Sequence, residues 1–303
     1  LPRAPWPFYL VQGLSGLARA FYRPAYNALG TELVPREAYQ NAATWRSSVF
    51  FSATVVGPAL GGLLYSFAGP LCAYGTEAGF IAFSLFALGR VRRRPRPVAP
   101  EISFARSLVE GVRFVFSHRL ILSVLSLDLF AVLFGGAVAL LPAFASDVLH
   151  VGPRGLGLLR AAPALGGVLM SILLAHWPQS RNTGKTLLTC VAAFGLTWIG
   201  FAWSTSFVLS WLLLATGGAF DNVSVVLRAT LVQLKTPPEM MGRVQAINGF
   251  FIGSSNELGA FESGVAARLF GLQPSVILGA CITLVVVALT AWRVPELRKL
   301  SRL

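Results

Sequence analysis

Apolar residues run along this chain in long blocks separated by short polar breaks. Nine blocks emerge, roughly at 7–33, 43–66, 70–90, 120–145, 155–177, 185–204, 207–234, 244–270 and 274–293. About 20 apolar residues cross a bilayer as a helix, because a rise of ~1.5 Å per residue then matches ~30 Å of hydrocarbon. The pattern predicts an all-α membrane protein with nine transmembrane helices. The first, seventh and eighth blocks exceed the minimum length, which predicts tilt or protruding ends.

The break after the third block reads Arg92-Arg93-Arg94-Pro95-Arg96-Pro97-Val98-Ala99-Pro100. Proline forbids a continuous helix there, so the segment is a linker. It leads into Ser103 to His118, where Phe104, Leu108, Val112 and Val115 recur near helical spacing, with Arg106 and Arg113 between them. That pattern predicts an amphipathic helix on the cytoplasmic membrane face; a solvated connecting helix is the alternative. The chain then divides into a first set of three spans (1–91), a basic linker with its helix (92–118), a second set of six spans (119–293) and a basic tail (294–303).

One apolar block contains Gly57-Pro58-Ala59-Leu60-Gly61-Gly62, and a later one contains Gly259-Ala260-Phe261-Glu262-Ser263-Gly264. Both glycine pairs align at an offset of 202 residues, as do Pro35 with Pro237 and Glu37 with Glu239. Glycine and proline are costly in a water-exposed helix, but in a membrane helix they permit close backbone contact and a bend. The echo predicts two related halves. It pairs the first two spans with the seventh and eighth, so equivalent halves imply three further spans ahead of Leu1.

Composition agrees with a lipid environment. The hydrophobic fraction is 55% and the charged fraction 12%, against about 25% charged in a soluble domain; mean hydropathy is +0.67. The net charge of +13 does not point to nucleic acid, because the basic residues cluster in the breaks between spans. Arg36, the Arg90–Arg119 group, Arg181, Lys185, Lys235, Arg243, Arg293, Arg298, Lys299 and Arg302 occupy one set of loops, while the opposite set holds little beyond Arg3, Arg154 and Arg268. The positive-inside rule places the first set, and the C-terminus, in the cytoplasm. Trp6, Trp45, Trp177, Trp203 and Trp292 fall near span ends as an aromatic belt. Cys72, Cys190 and Cys281 lie within apolar spans without disulfide or metal-ligand spacing, and read as small packing residues. His118, His150 and His176 read as interfacial. No Walker, HExxH, CxxC or nucleophile-elbow pattern occurs, so no enzyme, metal site or cofactor is expected.

Two six-helix halves joined by a basic loop resemble the major facilitator superfamily, with this chain corresponding to helices four to twelve of twelve. The stretch Ala20-Phe21-Tyr22-Arg23-Pro24-Ala25-Tyr26-Asn27-Ala28-Leu29, then Leu33-Val34-Pro35-Arg36-Glu37, then the Gly57–Gly62 segment, is similar to the enterobactin-exporter (transmembrane secretion effector) branch. The resemblance implies a monomeric bacterial inner-membrane exporter of a small molecule, such as a siderophore, drug or amphipathic metabolite, working by alternating access and driven by the proton gradient. The Gly-Pro segment resembles the fifth-helix signature of drug:proton antiporters. Ala53 stands where the longer signature has glycine, and Tyr9, ahead of Gln12-Gly13, stands where the fourth-helix signature has arginine. Lysophospholipid flipping or solute import by the same fold, and a non-transporting scaffold or membrane enzyme, are the alternatives.

Charges at membrane depth are costly and face a cavity or a partner. Arg19 and Arg23 share one face near mid-membrane and are candidates for contacting an anionic or catecholate-like substrate; pairing with carboxylates, or snorkelling for Arg23, is the alternative. Asn256 joins them as a candidate substrate contact. Asp128, Asp221 and Glu257 are the candidate proton-coupling carboxylates, because a carboxylate in a low-dielectric cavity can carry a proton; a structural ion pair is the alternative for Asp128. Arg228, seven residues from Asp221 on the same face, reads as an anchor for the inner end of its span. Gly57, Pro58, Gly61, Gly62, Gly259 and Gly264 are candidates for helix packing and gating between the halves.

Overall fold

The computed structural model describes residues 6–33, 39–91, 104–176 and 182–300. The linker 92–103, and with it most of the basic run, lies outside them, as do Pro35, Arg36, Glu37, Trp177 and Arg181. The described chain is helical throughout and divides into two compact units, Leu1–Phe50 with Gly79–Glu101, and Phe51–Ala78 with Ile102–Leu303.

The first unit holds α1 (Trp6–Glu32) and both ends of α2 (Tyr39–Gly89). Tyr22 and Tyr26 stack one turn apart on α1 with ring centroids 5.7 Å apart, and the Arg90 guanidinium sits 4.6 Å over the Phe86 ring. The second unit contains the middle of α2 and then α3 (Phe104–Ser117), α4 (Arg119–Gly135), the short α5 (Leu141–Ala143), α6 (Pro153–His176), α7 (Thr183–Trp203), α8 (Phe207–Lys235), α9 (Met241–Phe270), α10 (Leu272–Arg293) and α11 (Pro295–Lys299).

Two expected spans, 43–66 and 70–90, appear as one helical run that breaks at Gly69 (φ 76°, ψ 178°). The positive φ is open to glycine and strained for other residues, and Pro70 has no N–H to donate back across the break. The expected single helix 120–145 is also interrupted. Gly135 ends α4, a 3₁₀ turn runs from Ala137 to Leu140, and a π turn runs from Phe144 to Val148. Pro142 cannot donate to residue 138, which loosens the ladder at this point. Neighbouring helices also press on the glycines: a Cβ on Gly135 would lie 2.6 Å from Thr283 Oγ1, and one on Gly259 2.8 Å from the Leu133 carbonyl oxygen.

Six helical segments among the described residues have the length and apolarity to cross a membrane: Ser52–Gly89, Arg119–Val148, Pro153–Leu174, Thr183–Trp203, Phe207–Lys235 and Leu272–Arg293. Nine spans are expected from the sequence, and the difference has two sources. Ser52–Gly89 has 38 residues, about 57 Å of helix, the length of two crossings. The helices α1 and α9 are 27 and 30 residues long, but Arg19, Arg23, Arg243, Glu257, Glu262 and Arg268 lower their apolarity. The protein is a multi-pass, all-α membrane bundle.

In the second unit α8 lies between α6 and α7, and α7 packs on α10, which packs on α4 and α9. Three apolar cores tie these helices together. Phe144, Trp198 and Phe201 centre the first, with centroids 4.7 Å (Phe144–Phe201) and 5.4 Å (Trp198–Phe201) apart. The second joins Val124 and Leu127 of α4 to Leu187, Leu227 and Leu297. Leu297 is fully buried, and the amide of Gly184 donates to the Leu300 carbonyl at 3.1 Å, so the tail is folded back onto the start of α7. The third core seats Val115 of α3 against Ile121, Leu125, Val232, Val244 and Ile247.

Candidate functional site

Ile121, Val124, Leu125, Leu127 and Ala131 make one face of α4 apolar and buried, and Asp128 falls on that same face. A bare carboxylate there would cost several kcal/mol, so the position requires a cation or a proton. Arg228 of α8 supplies the cation: Nη1 of Arg228 pairs with Oδ1 of Asp128, and both side chains are only 7% exposed. Arg228 therefore does not reach for the inner membrane surface, as its sequence position suggests; it turns into the bundle.

Asp221 lies two turns before Arg228 on α8, about 10 Å along the axis. It is half-buried and, seven residues away, shares a face of the helix with Arg228. The structure thus brings one carboxylate of α4 onto one guanidinium of α8, with a second carboxylate further along the same helix. Beside it, Ser171 Oγ donates to Asn222 Oδ1 at 3.0 Å and joins α6 to α8. The two helices approach closely enough for this because Gly166 and Gly218 press on the carbonyls of Ala215 and Pro163, where a side chain would collide with backbone.

The other expected coupling residue, Glu257, is exposed on α9. Asn256 is exposed too, and its amide donates to the Ile252 carbonyl at 2.7 Å, on its own helix. Arg19 and Arg23 lie on α1, and their side chains are outside the described ones.

The glycine candidates separate into two groups. At Gly57, Gly61 and Gly264 an added Cβ would meet nothing within 4 Å. At Gly62 it would lie 2.6 Å from the Pro153 carbonyl oxygen and 3.0 Å from Gly157 Cα, and at Gly157 it would lie 2.5 Å from the Pro58 carbonyl oxygen. Pro58 and Gly62 of α2 therefore meet the first turns of α6 backbone to backbone. Beside them the Arg154 guanidinium sits 3.7 Å over the Phe67 ring. Pro153 and Gly157 carry no sequence signal beyond a Pro and a Gly at a span start, and only the fold pairs them with the Gly-Pro segment. Ser171 and Asn222 are likewise ordinary span residues until α6 and α8 are packed.

Among the described residues no group of three His, Cys, Asp or Glu side chains is placed to hold a metal ion. The arrangement offers a buried ion pair, a second carboxylate two turns away on α8 and close helix crossings.

Comparison with known proteins gives a consistent result. Residues 2–260 match the sequence profile of the Major Facilitator Superfamily. Relatives include the enterobactin exporter EntS of Shigella boydii serotype 18, 30% identical over 304 residues, covering 95% of this chain and 72% of the relative. The enterobactin exporter EntS of Escherichia coli O81 matches to the same extent. That of Citrobacter koseri is 30% identical over 303 residues, covering 96% of this chain and 73% of the relative.

Proposed function

Because this chain belongs to the major facilitator superfamily, we propose that the small molecule it carries as a secondary transporter leaves the cytoplasm, in exchange for protons, across the bacterial inner membrane. The observation that carries the direction is the 30% identity, over 95% of the chain, to proteins named enterobactin exporters. The substrate class taken from those names is a catecholate siderophore or an amphipathic molecule like it. Arg19 and Arg23 would meet its anionic groups and Asn256 its hydroxyls. The C-terminus faces the cytoplasm.

Coupling rests on Asp128, Asp221 and Glu257. Asp128 already holds Arg228 as its partner, so Asp221, seven residues before Arg228 on α8, is the carboxylate that would take up the proton. Release of that proton on the cytoplasmic side would return Asp221 to its charged form. In alternating access the helices must trade contacts between an outward-open and an inward-open arrangement. The crossing of Pro58 and Gly62 with Pro153 and Gly157 has the close, side-chain-free surface that such rocking uses, with Gly57, Gly61, Gly259 and Gly264 as further packing positions.

Everted vesicles carrying the full-length protein test this reading, with enterobactin as the probe. Accumulation is expected when the lumen is acidic, and it should collapse with an uncoupler. Neutralising Asp128, Asp221 and Glu257 together should abolish the gradient-driven part. Unchanged accumulation in the triple variant would remove the coupling assignment.

A further inference from the structure

We propose that α3 is a docking helix for the anionic lipid surface of the inner leaflet, with Val109, Val112 and Phe116 entering the acyl boundary and arginines meeting the headgroups. The helix has two apolar faces. One is used within the protein: Val115 is fully buried in the third core, and a Cβ on Gly111 would lie 3.1 Å from Arg243 Cβ of α9. Glu110 ties the same side to α9 through a 2.9 Å ion pair with Arg243 Nη1. The other face is open. Val109 and Phe116 are each 58% exposed and Val112 is 38% exposed, and their i, i+3, i+7 spacing aligns them in one stripe.

Two observations say what covers that stripe. The first is continuity with the bilayer: α3 is separated only by His118 from α4, which opens the segment Arg119–Val148, long and apolar enough to cross a membrane. A helix fixed at that point lies at the membrane edge, where an apolar stripe has hydrocarbon within reach. The second is charge. Between Arg90 and Arg119 the sequence carries eight arginines against two glutamates, Glu101 and Glu110, and Glu110 is already paired with Arg243. Exposed Arg113 follows Val109 by one turn and flanks the stripe. Such a basic, juxtamembrane, amphipathic helix fits an anionic headgroup layer, and a neutral protein groove would leave its arginines without partners.

Because α3 is fixed to α9, the lipid contact would be made by the same rigid piece that packs against α4. This inference does not depend on the substrate or the coupling ion proposed above.

The test uses the full-length protein in nanodiscs, with Cys72, Cys190 and Cys281 replaced and a nitroxide placed at Val109→Cys, Val112→Cys or Phe116→Cys in turn. Collision with oxygen and with a water-soluble nickel chelate reports the surroundings. In discs rich in phosphatidylglycerol the labels should be open to oxygen and closed to nickel. In pure phosphatidylcholine, or after Arg106→Gln with Arg113→Gln, nickel access should rise several-fold. Three results would overturn the proposal. Labels open to nickel in phosphatidylglycerol would place the stripe in water. Immobilised labels closed to both reagents would place it under another protein segment. Equal shielding in both lipids and in the arginine variants would remove the anionic preference. The unlabelled Arg106→Gln/Arg113→Gln protein keeps the buried face of α3, so its thermal unfolding midpoint should stay at the wild-type value.

Discussion

Asp128 and Arg228 behave as a unit, and single substitutions should reveal it. Asp128→Asn leaves a buried guanidinium without its anion, a loss of roughly 3–5 kcal/mol for breaking one side of a buried pair. Removing both charges, as in Asp128→Asn with Arg228→Gln, leaves two groups able to hydrogen-bond each other and should recover most of that stability. Thermal unfolding of the purified protein measures both; additive losses in the double variant would contradict a direct pair. The glycines offer a second contrast at this scale. Gly62→Ala forces a methyl group against the Pro153 carbonyl and should cost about 1–3 kcal/mol through overpacking, while Gly61→Ala meets open space and should leave stability unchanged within ~0.5 kcal/mol. Equal effects at the two positions would mean that the α2–α6 crossing does not form.

At the scale of elements, the positions of the helices were legible in the sequence, and their interruptions were legible only in part. Hydropathy marks each apolar block because lipid imposes one requirement over about 20 residues. The break between 66 and 70 could be read from Gly69-Pro70, and Gly69 takes the positive φ that the dipeptide suggests. Gly69→Ala should therefore destabilise by about 1 kcal/mol through the backbone alone, since no neighbouring atom lies within 4 Å of the added methyl group. The interruption after Gly135 was not legible. Pro142 loosens the ladder there, and α9 and α10 approach α4 closely at Gly259 and Thr283; hydropathy contains no information about such crossings. The helix over 104–117 was predicted by its periodicity, but its orientation was not. Val112 belongs to the sequence's apolar stripe with Val115, yet the structure exposes Val112 and buries Val115, because the small Gly111 lets α9 approach from that side. The site divides in the same way. Asp128 and Asp221 stood out as charges within apolar blocks, whereas Arg228 looked like an end anchor until α4 and α8 were placed side by side.

At the scale of the whole molecule, superfamily membership stands beside a buried ion pair inside the bundle. The superfamily makes the protein a transporter, and the charges of α4 and α8 are where we propose that the driving proton is held. The proposed exchange requires proton movement and substrate movement to be locked together, which steady accumulation alone does not establish. Proteoliposomes holding the full-length protein, an acidic lumen and a trapped pH dye measure the link directly. With the protein's cytoplasmic face outward, adding enterobactin outside should alkalinise the lumen as the siderophore enters, and Asp128→Asn/Asp221→Asn should abolish the signal. Enterobactin entry with no change in lumenal pH would contradict proton-coupled export.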